Sequence, residues 1–180
     1  FSEKSKIKCF PSNFEKSLSY SPSKTVIVEK YMPWKEATIF YTAQDGNIFL
    51  TAIADRHTQN RQNKSIPLPV AYIFPSEHLK AYIDTLDSEV INMFKSVGIQ
   101  NGLIFIQSFV KNGNFVFYEM GFRLTGTLEY HILSKTNNIN ILEHLIRFAI
   151  TGKMSENPLY NRIVPNTEKF GGNITFLLKP

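Results

Sequence analysis

The sequence predicts an α+β fold: a mostly antiparallel sheet with helices packed on one side. Three observations predict it. Two pairs of apolar, β-rich runs are each joined by a hairpin-type dipeptide, Asp45-Gly46 and Asn112-Gly113. Two further segments, near 76–97 and 140–151, space their apolar residues at helical intervals. Aromatic residues form 13% of the chain, and 15 residues are Phe, which suits sheet faces under helices and not a disordered segment. With 180 residues and 43% hydrophobic content, the chain can bury one core, so one domain or one large lobe is expected.

Taken in order, Asn13 is the expected N-cap of a short helix reaching Tyr20, with Pro22 beyond its end. TVIVEKY (25–31) is β-branched and continuous, the pattern of a buried strand. Two strands then flank Asp45-Gly46. A two-residue turn there sets Gln44 opposite Asn47 and Glu36 opposite Asp55, where like charges repel unless a cation or ligand hydroxyls intervene. Residues 56–70 lack periodicity and read as a mobile basic loop. From Pro75-Ser76 one helix is expected, with Leu79, Ile83, Leu86, Val90, Phe94 and Val97 as its apolar stripe and Gly98 as terminator. After the second hairpin, Asn140 caps a helix with Leu142, Leu145, Ile146 and Ala149 inward, ended by Gly152. From Lys153 the chain is turn-rich until GGNITFLLKP, one more expected strand.

Composition narrows the chemistry. Cys9 is the sole cysteine, which excludes a disulfide framework or Cys-rich zinc site and fits a reducing, cytoplasmic setting. No apolar run approaches membrane-spanning length. The net charge of +5 suits an anionic ligand, although an ordinary soluble surface would give the same value. A nucleic-acid-binding module is disfavoured, because the aromatics sit in apolar strands and not among the lysines. The four histidines have no metal-ligand pairing, and no Ser/His or Cys/His nucleophile arrangement stands out.

Four places could carry chemistry. Around VIVEKYMPWKE (26–36), free strand-end backbone groups could read a purine edge, with Glu36 accepting from sugar hydroxyls; taken alone, a structural strand with exposed Glu and Lys explains it more simply. Arg56, Arg61 and Lys64 could close over phosphates. Lys4, Lys6 and Lys8 alternate in an opening without glycine, which argues against a snug phosphate cradle. In LIFIQSFVKNGNFVFYEMGFR, Gln107 and Glu119 are an oxygen pair suited to a hard cation, and Arg123 could stabilise charge on a transferring phosphoryl group. The alternative is a buried Glu119–Arg123 salt bridge. Register decides. A strict two-residue turn puts Ile106 opposite Glu119, whereas a three-residue loop or an equivalent bulge puts Gln107 there.

With these segments in order, the chain resembles the ATP-grasp superfamily, most of all the large chain of carbamoyl-phosphate synthase. The resemblance covers roughly residues 1–152, as a partial ATP-grasp domain, with 153–180 opening a carboxyl-terminal β extension. It rests on VIVEKYM followed by PWKE, on FIQSFVKNGNFVFYEMGFR, and on LTGTLEYHI followed by the 140–151 helix. It implies that Glu29, Lys30, Tyr31 and Met32 line an adenine and that Glu36 takes the ribose. It further implies that Gln107 and Glu119 hold Mg²⁺, with Mn²⁺ as an alternative, and that Arg123 faces the phosphates. Arg56, Arg61 and Lys64 correspond more loosely.

The sequence also departs from the family. Gly121 stands where a further metal-ligand Asn is usual, and FSEKSKIKC falls on the glycine-rich loop without its glycines. The family's phosphate-binding Lys and its amino-terminal lobe would lie upstream of Phe1. The expectation is thus the carboxyl-terminal lobe of an ATP-dependent ligase that activates a carboxylate as an acyl phosphate for attack by an amine or other nucleophile. A degenerate lobe serving as nucleotide-binding or scaffold module is the competing expectation.

Overall fold

The structure, a computed structural model, describes residues 11–30, 32–58 and 69–176. Tyr31, Arg61, Lys64, Cys9 and the opening lysines lie outside the described residues. The chain divides into two units, Phe1–Pro33 and Trp34–Pro180.

The first unit holds helix α1, Pro11–Tyr20, followed by residues 25–30 in no strand. Asn13 lies inside this helix, not at its cap, because a Pro at the first helical position already supplies a φ suited to the start. The expected buried strand at 25–31 is also corrected: Ile27 is 90% exposed and Val28 56%. β-branched residues specify extended backbone, but only a neighbouring ladder converts extension into burial, and no described strand pairs with this run.

The second unit is built on one antiparallel sheet. Its strands are β1 (Lys35–Gln44), β2 (Asn47–Thr58), β3 (Pro69–Phe74), β4 (Gly102–Lys111), β5 (Asn114–Gly121) and β6 (Gly171–Ile174), in the order β5-β4-β1-β2-β3-β6. Both tight turns hold two residues, with Gln44 opposite Asn47 and Lys111 opposite Asn114. Asp45, Gly46, Asn112 and Gly113 all take positive φ, between 50° and 78°, the backbone that matches the right-handed strand twist. The span first read as a basic loop is partly strand, since Arg56 belongs to β2 and Pro69 opens β3.

Alternation along the strands sends residues to two faces. Ala37, Ile39, Tyr41, Ile104, Ile106 and Val110 pack under helices α2 (Leu79–Thr85) and α3 (Asp87–Ser96). The single helix expected over this stretch is bent at Leu86, whose φ is −130°. Thr85 Oγ1 donates to the Ala81 carbonyl at 2.7 Å, a back-bond of the kind that bends helices. The bend shifts the stripe. Tyr82 becomes fully buried while Ile83 and Val97 are 41% and 69% exposed.

On the other face Phe40, Ala52, Ala54, Leu103 and Phe105 meet Leu133 of α4 (Glu129–Thr136) and Ile141 of α5 (Ile141–Thr151). Asn140 caps α5 as expected, its side chain accepting from the Glu143 amide, and Gly152 ends it in the left-handed region. Its inward residues are Ile141, Leu145 and Phe148, while Ile146 is 51% exposed and Ala149 is exposed, against expectation. A one-residue error in helix phase turns a residue by about 100°, enough to move it off the core.

Candidate functional site

Two β-bulges place the site residues. In the first hairpin Phe40 pairs with Ala52 and Tyr41 with Leu50, so Thr51 is the extra residue. Beyond that bulge every pairing slips by one, and Glu36 stands opposite Arg56 while Asp55 stands opposite Ala37. The expected Glu36–Asp55 repulsion is therefore replaced by an attraction. Glu36 and Arg56 form an ion pair, each side chain only 10% exposed. Asp55 points to the other face, where it accepts from Ser76 Oγ and the Glu77 amide.

In the second hairpin Gln107 pairs with Glu119 and Ser108 with Phe117, so Tyr118 is the extra residue. The turn has two residues, yet Gln107 and Glu119 share a row because the bulge restores the register. Thr38 of β1 lies on the other side of Gln107 in that row. Its hydroxyl is buried and, among the described residues, has no hydrogen-bond partner.

Tyr118 stacks on Phe109, with ring centroids 4.4 Å apart, and donates its hydroxyl to Glu36 Oε2 at 2.7 Å. Arg56 Nη1 donates to that same oxygen and, at 3.2 Å, to the Tyr118 hydroxyl, while Arg56 Nε donates to the Tyr72 hydroxyl at 3.2 Å. Burial pushes ionisation of the Tyr118 phenol well above its ordinary range, and its bond to Glu36 adds to the shift. Burial works against the Arg56 charge, but Tyr118, Glu36 and Tyr72 outweigh it and hold the guanidinium charged. Arg56 is thus a strand residue committed to Glu36, not a loop residue free to close over phosphates.

Arg123 makes no ion pair with Glu119. Its guanidinium lies 5.0 Å from the centre of the Phe105 ring, and Nη1 donates to the Leu124 carbonyl at 2.9 Å. Phe105 and Gln107 occupy the same face of β4, so Arg123 stands beside the Gln107–Glu119 row. The loop carrying Arg123 is tied down by the buried Glu129, which accepts from both Thr125 and Thr127. Phe105 also explains Gly121: a Cβ there would run into the ring. The space a side chain would need at this position is already filled.

Glu29, Lys30 and Met32 lie in the first unit, with Glu29 and Lys30 exposed. Among the described residues no trio of His, Cys, Asp or Glu converges as a metal cage. Gln107 and Glu119 alone fit an ion that keeps water or phosphate oxygens as its remaining ligands. Sequence reasoning missed Tyr118, Tyr72, Thr38, Glu129 and the Arg56–Glu36 pair. The bulges bring Tyr118 to Glu36 and set Glu36 against Arg56, which reaches Tyr72, and neither bulge has a local signature.

No family model matches the sequence, and a search of curated proteins finds no match. Solved structures do match. The L-amino acid ligase from Bacillus licheniformis aligns with a TM-score of 0.64 at 19% identity, over 83% of this chain and 37% of that one. The biotin carboxylase domain of 2-oxoglutarate carboxylase from Hydrogenobacter thermophilus, solved with MgADP, ADP and bicarbonate, gives 0.69 at 18%, over 90% and 35%. Biotin carboxylase from Campylobacter jejuni gives 0.65 at 22%, over 86% and 34%. These are ATP-grasp enzymes, and the fold of this chain is an ATP-grasp fold. The chain spans about a third of the length of each of these three proteins. Among the described residues no helix is long and apolar enough to cross a membrane.

Proposed function

We propose that this chain is a lobe of an ATP-dependent ligase of the ATP-grasp type, similar to the carbamoyl-phosphate synthase large chain and working in a reducing, cytoplasmic setting. The observation that carries the reading is the Tyr118 bulge, which sets Gln107 beside Glu119 on the face that also presents Glu36 and Arg123. In the proposed reaction, the γ-phosphoryl group passes from ATP to a carboxylate oxygen, releasing ADP. The nitrogen of an amine, or another nucleophile, then attacks the acyl carbon, and phosphate leaves. Glu36 accepts from sugar hydroxyls. Gln107 and Glu119 hold a divalent cation, Mg²⁺ or Mn²⁺, which when bound supplies positive charge for the phosphate oxygens. Arg123, steadied on Phe105, adds a second cation at the phosphoryl group.

Calorimetric titration of the chain with ATP, with and without Mg²⁺, tests this reading. The expected result is weak binding that Mg²⁺ strengthens, with Glu119→Gln and Gln107→Ala abolishing the Mg²⁺ effect at unchanged circular dichroism. Affinity indifferent to Mg²⁺ in the wild type overturns it. The Phe105 ring beside Gly121 favours one specific second reading, a lobe that has lost part of its metal site and binds nucleotide as a scaffold. Nucleotide binding with no acyl-phosphate formation by the parent protein, trapped with hydroxylamine, decides for that second reading.

A further inference from the structure

We propose that Tyr118 is a positioning residue for Glu36, and that with Arg56 it fixes which carboxylate oxygen remains to meet a ligand hydroxyl. The inference rests on the reading of Glu36 as the acceptor for sugar hydroxyls and says how that acceptor is held ready. Both donors, the Tyr118 hydroxyl and Arg56 Nη1, address Oε2. Among the described residues Oε1 receives no hydrogen bond. A carboxylate offers about four acceptor positions, two on each oxygen, so the two donors occupy Oε2 and leave Oε1 available.

The donors are themselves held. The Tyr118 ring lies on Phe109, and Arg56 is tied by Nε to Tyr72. A free glutamate samples many rotamers and a ligand must pay to order it. Here the ordering is done before the ligand arrives. The bulge is what makes this possible, because consecutive strand residues ordinarily point to opposite faces. At this bulge Tyr118 reaches Glu36 and Glu119 faces Gln107 from the same side of the sheet. One backbone irregularity therefore aligns the sugar acceptor with the cation pair.

The test compares ATP with 2′,3′-dideoxy-ATP, both with Mg²⁺, by NMR titration of wild type, Glu36→Gln, Tyr118→Phe and the double variant. Tyr118→Phe keeps the ring on Phe109 and removes only the hydroxyl. It is expected to weaken ATP by about fivefold to tenfold while leaving dideoxy-ATP within about twofold, and the double variant to be no weaker than Glu36→Gln alone. In the wild type the Tyr118 ring-carbon resonance beside the hydroxyl is expected to move with ATP and stay with dideoxy-ATP, a readout that needs no variant. Equal losses for both nucleotides in Tyr118→Phe, with Glu36→Gln still discriminating, overturn the proposal and leave the role of Glu36 standing. If Glu36→Gln fails to discriminate, or the wild type binds neither nucleotide, the role of Glu36 and the proposal fall together.

Discussion

The two hairpins of the sheet share a plan and differ in what supports their irregularity. Each turns on two residues of positive φ and each carries one extra residue on its second strand. In the first, the extra residue is Thr51, fully buried, bonded through its hydroxyl to Thr42 at 2.7 Å, with its carbonyl accepting from Asn137 Nδ2 at 3.2 Å. In the second it is Tyr118, 37% exposed on an edge strand, with its hydroxyl spent on Glu36. The core holds one bulge and the candidate site holds the other. Both are needed, since the first sets Arg56 against Glu36 and the second sets Gln107 against Glu119.

The largest effect is expected where the buried bulge is broken. Asn137 is 4% exposed and also donates to the Val164 carbonyl at 2.9 Å, so Asn137→Ala leaves two carbonyls without that donor. The expected loss is about 2–4 kcal/mol, a fall in Tm on the order of 10 °C in a thermal melt. An unchanged Tm would mean that the Thr51 bulge needs no support from Asn137.

This contrast also marks what the sequence could and could not disclose. Turn dipeptides act locally, through the few residue types that tolerate positive φ, so Asp45-Gly46 and Asn112-Gly113 were readable. So was the Asn140 cap. A bulge depends on partners far along the chain, Asn137 for Thr51 and Glu36 for Tyr118, and nothing near either position announces it. The Gln107–Glu119 row was legible only as one of two registers, and the structure selects the one that keeps them together. The Glu36–Asp55 pairing failed for the same reason, by one residue of slip. Residues 25–30 were misread because a strand pattern reports a capacity for pairing and not the presence of a partner.

Next in size is the ion pair that the first bulge creates. Glu36→Ala strands Arg56, which is 10% exposed, and should cost about 2–3 kcal/mol by urea unfolding. Glu36→Gln keeps an oxygen for both donors and should cost clearly less. Equal losses in the two variants would show that charge, and not the acceptor geometry, holds this side of the sheet.

The second bulge lies three residues before a tighter spot. Gly121→Ala drives a methyl group into the Phe105 ring and should destabilise by about 1–2 kcal/mol. Phe105→Leu should recover part of that loss, because the clash is with the ring and not with backbone. A double-mutant cycle measures the coupling. If the two losses simply add, the glycine is tolerated there for another reason, and the filled space beside Arg123 loses its structural explanation.

The smallest effect separates the two hairpins by their tyrosines. Tyr41 stands next to the first bulge, wholly buried, 2.7 Å from Asp87 Oδ1 and 2.9 Å from the Tyr82 hydroxyl. Burial first, and the neighbouring Tyr82 and Asp87 next, push its ionisation far above the ordinary 10.0. Tyr118 is shifted in the same direction, again mainly by burial. A folded-state pKa raised above the unfolded value means that the native chain keeps a proton the unfolded chain gives up. The stabilisation is therefore complete below about pH 10 and declines as the pH rises beyond it, by about 1.4 kcal/mol per pH unit for a wholly buried phenol. Between pH 10 and pH 11, Tyr41→Phe should remove about 1 kcal/mol of that decline, read from urea midpoints at the two pH values. Tyr118→Phe should remove less, because solvent screens a side chain left 37% exposed. If Tyr118→Phe flattened the alkaline limb more than Tyr41→Phe, the more deeply enclosed bulge would be the one at the candidate site, and the division of labour between core and site would be reversed.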